Sequence, residues 1–123
     1  MWVLEMTQTL QRIDYGHRHL GFLFFPAFSV DEHGMHVKGR IYPWSDVLEV
    51  SQTPPGMVFA AGWPLGRSKV TIAFKDGFRL CIDAESFCIR GERLKRHFVS
   101  GRSHALDDLI SIVERRLGRR LIL

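Results

Sequence analysis

Between Lys69 and Asp83 apolar and polar residues alternate on both sides of Lys75-Asp76-Gly77, and no other segment constrains the fold as tightly. If those three residues form a hairpin loop with Gly77 at positive φ, Phe74 faces Phe78, Ile72 faces Leu80, Val70 faces Ile82 and Lys69 faces Asp83. A two-residue Asp-Gly turn would instead oppose Phe74 to Arg79, so the longer loop is preferred. Thr71, Ala73, Arg79 and Cys81 then lie on the solvent side of an antiparallel sheet.

A second hairpin is encoded upstream. Leu20 to Val30 reads as a strand bent at Pro26, and the polar loop Asp31-Glu32-His33-Gly34 sets Val30 opposite Met35 and Phe28 opposite Val37. A slip of one residue would send that apolar set to solvent, so the match specifies register. Ile41 is expected to continue the inward series. Pro43 stops ladder pairing, Trp44 drops its ring beside the corner, and Val47 to Gln52 resumes as a strand. Pro54-Pro55-Gly56 ends it, Met57 to Ala61 forms a short apolar strand, and Gly62 to Ser68 forms a loop.

The flanks are less patterned. Met1 to Leu10 fits either a strand or a helical lead-in, and Tyr15-Gly16-His17 reads as a turn. After Asp83 the alternation blurs, and residues 84–102 suit an irregular excursion or one short strand. Ser103 is then a helix N-cap, Asp107 and Asp108 suit the positive end of the helix, and Leu106, Leu109, Ile110, Val113 and Leu117 form one stripe ending at Gly118. The chain is thus mainly β with a C-terminal α-helix over about 103–117. Its 123 residues, 46% apolar and 24% charged, suit a single domain spanning 1–123.

The longest apolar run, Leu20 to Phe28, is too short to span a bilayer, and no signal-peptide pattern surrounds it. Cys81 and Cys88 lack metal or redox spacing and suit reduced structural thiols, so a cytoplasmic location is expected. The 17 Lys/Arg and 13 Asp/Glu are unevenly placed: from Cys88 onward nine basic residues meet four acidic ones, while the rest carries eight and nine. A basic C-terminal third could attract nucleic acid or an anionic membrane, but a solvated helix face with a ragged basic tail is the preferred reading.

Six or seven strands followed by one amphipathic helix is the order of a pleckstrin-homology-type (PH-like) fold. The run Gly34-Met35-His36-Val37, then Arg40-Ile41-Tyr42-Pro43-Trp44-Ser45-Asp46-Val47, resembles the bacterial PH-like families, with the later Asp-Gly hairpin at Phe74 to Arg79. The resemblance covers about residues 20–117. It implies a PH-like barrel of about seven antiparallel strands in two near-orthogonal sheets, capped by the helix. The phosphoinositide pattern of eukaryotic PH domains is incomplete here, since Lys38-Gly39-Arg40 lacks the remaining basic residue.

Candidate chemistry is sparse. His17-Arg18-His19 and His33-x-x-His36 are the closest histidine pairs, yet neither finds a third ligand by local spacing, and no metal or cofactor is expected. No Gly-x-Ser-x-Gly elbow or phosphate-binding glycine loop occurs, so the chain is not expected to be an enzyme. Asp31-Glu32 and Asp107-Asp108 have structural explanations in a turn and a helix start. Trp63, Leu65, Leu121 and Ile122 lack a pattern-defined core slot and are the candidate protein-partner contacts, including contacts to a second copy in a homodimer. The leading expectation is a non-catalytic binding or scaffold module. The alternative is electrostatic binding of nucleic acid or anionic lipid headgroups through Arg93, Arg96, Arg115 and Arg119.

Overall fold

In the computed structural model the described residues are 10–20, 22–53, 58–60, 63–65, 69–98 and 101–121, with 53, 58–60 and 63–65 described by their backbone. They form ten strands and one helix: β1 Ile13–His19, β2 Leu23–Asp31, β3 Gly34–Val37, β4 Arg40–Pro43, β5 Val47–Thr53, β6 Val58–Ala60, β7 Trp63–Leu65, β8 Lys69–Phe74, β9 Arg79–Asp83, β10 Phe87–Ile89 and α1 His104–Leu117. A five-stranded antiparallel sheet has the order β10-β1-β2-β3-β4, a three-stranded one has β5-β8-β9, and β6 pairs with β7. Among the described residues no helix is long and apolar enough to cross a membrane.

The two hairpins form in the expected register. Val30 faces Met35 between β2 and β3. Val70 faces Ile82, Ile72 faces Leu80 and Lys69 faces Asp83 between β8 and β9. The Phe74 N–H donates to the Phe78 carbonyl oxygen at 2.9 Å, closing the three-residue loop with Gly77 at φ 94°. On the outer face of this hairpin Cys81 is exposed, its sulfur 3.9 Å from the Thr71 hydroxyl.

Both sheets and the helix contribute to one core. Tyr15, Phe28, Val30, Met35, Val37 and Tyr42 come from the five-stranded sheet; Val47, Val70, Ile72, Phe74, Leu80 and Ile82 come from the three-stranded one; Leu106, Leu109, Ile112 and Val113 come from α1. Ser103 caps the helix by accepting the Leu106 N–H at 3.2 Å, and Gly118 ends it in the left-handed region at φ 69°. Ile112 is buried although it lies outside the expected stripe, whereas Ile110 and Leu117 pack at the core's margin.

Four expectations are corrected. Tyr15-Gly16-His17 is the middle of β1, because Gly16 serves close approach: a Cβ there would lie 2.3 Å from the Phe25 carbonyl oxygen and 2.6 Å from the Phe24 ring. Ile41 is 58% exposed, because the turn at Lys38 and Gly39 pairs Met35 with Tyr42, which takes the inward position instead. Trp63–Leu65 is a strand rather than part of a loop. Among the described residues there are ten strands, not about seven, and neither sheet closes into a barrel. Pro43 and the 3-10 turn Trp44–Asp46 interrupt the ladder between β4 and β5. The turn through Ala84, Glu85 and Ser86 separates β9 from β10, held by Asp83, whose carboxylate accepts from the Glu85 N–H and the Ser86 hydroxyl. Met1 to Thr9, Pro54 to Met57 and Ile122 lie outside the described residues.

Candidate functional site

The β1–β2 hairpin gathers four of the seven large apolar residues that are exposed among the described residues. Phe22, Leu23, Phe24 and Phe25 are consecutive apolar residues, and successive strand side chains alternate faces, so they cannot share one core. The fold leaves Leu20 82%, Phe22 69%, Phe25 52% and Leu23 41% exposed. Leu20 sits at φ 56°, a left-handed conformation uncommon for a non-glycine residue. The Phe24 ring lies over Gly16 on the outer face, with the Arg18 and Arg90 guanidinium carbons 5.6 and 5.3 Å from its centroid. The rings of His19 and Phe25 meet edge to face.

Arg18 fastens this tip to the basic excursion after β10. Its guanidinium donates from Nε and Nη2 to the Glu92 carbonyl oxygen at 3.1 and 2.9 Å, and from Nη1 to the Phe22 carbonyl oxygen at 3.3 Å. Beside it Arg18, Phe22, Glu92, Arg93, Leu94 and Arg96 border a cavity of about 500 Å³. Arg93, Lys95 and Arg96 are exposed and make no ion pair among the described residues. Carbonyl partners leave the charge on Arg18 uncancelled, so this end of the molecule combines apolar side chains with uncompensated positive charge.

The four arginines of the sequence-based candidate site therefore do not act together. Arg93 and Arg96 join the hairpin tip, where the Lys95 carbonyl oxygen accepts the His104 N–H at the start of α1. Arg115 lies in the last turn of that helix and Arg119 just beyond its Gly118 cap, about 20 Å away at 1.5 Å per residue. Arg115 donates to the Ser111 carbonyl oxygen, and Arg119 to that of Leu48 at 2.8 Å. Leu121 packs against the core with its N–H on the Glu114 carboxylate at 2.7 Å. The side chains of Trp63 and Leu65 and the whole of Ile122 lie outside the described part of the structure.

The remaining polar clusters have internal partners. His36 Nε2 lies 2.8 Å from Asp31 Oδ2. Burial opposes ionisation of Asp31, but hydrogen bonds from His36 and from the His33 and Gly34 N–H groups hold its carboxyl below the ordinary range. Asp107 binds Arg102 at 2.9 Å and also His97, whose ring stacks on His104. Among the described residues no three His, Cys, Asp or Glu side chains gather as a metal site. Burial pushes the Cys88 thiol up, away from a reactive thiolate.

No family model, curated protein or solved structure matches this chain. The sequence-based candidates missed the hairpin tip even though its signal was present. Leu20 to Phe28 is the longest apolar run in the chain, and a half-buried strand has only every second position for its core face.

Proposed function

We infer that this chain is a non-catalytic docking module that binds an anionic membrane surface through the β1–β2 hairpin tip. The observation that carries this is that exposed Phe22, at the same tip as exposed Leu20 and Phe25, borders one cavity with Arg18, Arg93 and Arg96. Interfacial binding uses both parts: each buried Leu or Phe contributes about 1.5–3 kcal/mol, and each Lys or Arg near an anionic leaflet about 1 kcal/mol. A single-strand nucleic-acid site would offer open ring faces for bases, whereas Phe24 is flanked by two guanidiniums and Phe25 is engaged by His19. Two antiparallel sheets followed by an amphipathic helix support a PH-type arrangement of the fold, without its closed barrel. The free thiols Cys81 and Cys88 suit a reducing compartment and hence a cytoplasmic leaflet.

Sedimentation with vesicles rich in phosphatidylserine, against phosphatidylcholine alone, tests the reading. Binding is expected to the anionic vesicles only, falling with salt. Phe22→Glu should abolish it without loss of stability, since Phe22 is 69% exposed. Arg93→Ala with Arg96→Ala should weaken it about 25-fold. Vesicle binding indifferent to Phe22→Glu would overturn the insertion mode. Salt-dependent capture of single-stranded RNA with no vesicle binding would transfer the site to nucleic acid. Concentration-dependent mass in light scattering without lipid would assign the tip to self-association.

A further inference from the structure

On the outer face of the five-stranded sheet, away from the hairpin tip, the strands form a hollow rather than a flat surface. Tyr15 pairs with Phe28 but the next β1 residue, Gly16, pairs with Pro26, so Ala27 has no partner across the ladder. Such a bulge bends and twists its strand locally. Pro26 and Ala27 line one side of the resulting cavity of about 460 Å³, and Ile41 lines another. That volume lies within the range of small-molecule sites.

The rim is cationic. Arg12, Arg40 and Arg90 border the cavity, and Asp14 is the one carboxylate among its lining residues. Two of the guanidiniums converge on that carboxylate: Arg12 Nε lies 3.1 Å from one oxygen and Arg90 Nε 3.9 Å from the other. Asp14 can neutralise only one of them. Arg40 is turned toward Asp76, 3.2 Å away, outside the cavity lining. The three arginine side chains remain 58–68% exposed. Exposed pairs of this kind are weak enough for a ligand to exchange with them.

We propose that this hollow binds a small organic phosphate monoester, its phosphate between Arg12 and Arg90 and its body over Pro26, Ala27 and Ile41. A phosphate monoester carries nearly two negative charges on three oxygens of one centre, which suits two convergent guanidiniums better than a monocarboxylate does. Asp14 is then a built-in competitor for the phosphate position. The site uses neither the hairpin-tip apolar residues nor Arg93 and Arg96, so it does not depend on the membrane reading.

Calorimetric titration of the whole protein with phenyl phosphate tests it. Binding is expected with Kd on the order of 0.1–1 mM, at least tenfold tighter than benzoate. Arg12→Ala should weaken it about fivefold, and Ile41→Glu should abolish it at little cost to the fold because Ile41 is exposed. Asp14→Asn should tighten it about fivefold, a gain that a purely structural Asp14 would not give. Phe22→Glu should leave it unchanged. Phosphatidic acid in vesicles presents the same group from a lipid. Binding of that lipid but not of phenyl phosphate, with the same Arg12 and Asp14 dependence, would keep the site and assign it a lipid source. No binding of either probe, or binding insensitive to both Arg12→Ala and Asp14→Asn, would overturn the proposal.

Discussion

The indole of Trp44 is 8% exposed and donates Nε1–H to the Asp31 carbonyl oxygen at 3.0 Å, so packing and hydrogen bonding can be separated by substitution. Trp44→Ala should cost about 3–5 kcal/mol in urea unfolding. Trp44→Phe keeps a ring in the corner, and the lost hydrogen bond itself accounts for about 1 kcal/mol. A near-neutral Trp44→Ala would remove the residue from the core. His17 makes a pH-dependent contribution. Its Nε2 accepts the Asp83 N–H at 3.2 Å, which requires the neutral ring. Burial lowers its pKa below 6.5, against the pull of Asp83. Because the folded state resists protonation, the His17 contribution is complete above about pH 6.5. It declines as pH falls below that value, where the unfolded chain takes up the proton first. Unfolding midpoints of wild type and His17→Gln should therefore diverge less at pH 5 than at pH 8. A constant difference across that range would remove His17 as the titrating group.

Within β1, Gly16 shows how one position can be mistaken for another kind of element. A Cβ there would strike the Phe25 carbonyl oxygen and the Phe24 ring, so Gly16→Ala should destabilise the protein by about 1–3 kcal/mol and displace Phe24 from between Arg18 and Arg90. Denaturation together with the Phe24 ring proton shifts would detect both effects. From sequence alone a glycine beside His17 suggests a turn, because nothing local reveals that a ring from the next strand will lie on it. The β8–β9 hairpin was legible because each of its contacts is local: loop length, alternation and Gly77 all agree on one register. Ile41 was misassigned for the converse reason. Both Ile41 and Tyr42 suit a strand interior, and the two-residue turn at Lys38 and Gly39, not hydrophobicity, selects which of them points inward. The arginines of the candidate site were visible as a charge excess, yet their separation by a full helix length depends on where α1 docks.

At the scale of the whole molecule, two faces with different chemistry share one sheet. The tip of β1–β2 offers apolar side chains and fixed positive charge, while the bulged outer face offers a cationic hollow. Arg18 joins the tip to the excursion after β10 through bonds to the Glu92 and Phe22 carbonyl oxygens. Arg18→Ala should therefore weaken vesicle binding by more than the roughly fivefold due to one lost charge, whereas Arg18→Lys, which keeps the charge but not the forked geometry, should recover only part of it. Equal affinities for the alanine and lysine variants would show that charge at this position does not matter, and equality of both with wild type would remove the forked geometry as well. The contrast between the two cysteines has a practical corollary. Cys81 is exposed on the outer face of β9, and Cys88 is buried with its thiol pKa raised. A maleimide dye should therefore label the native protein once, at Cys81, and a second time only after unfolding. The native chain thus supplies its own attachment point for a fluorophore on the three-stranded sheet, from which the tilt of the protein on a supported bilayer could be measured without engineering a cysteine.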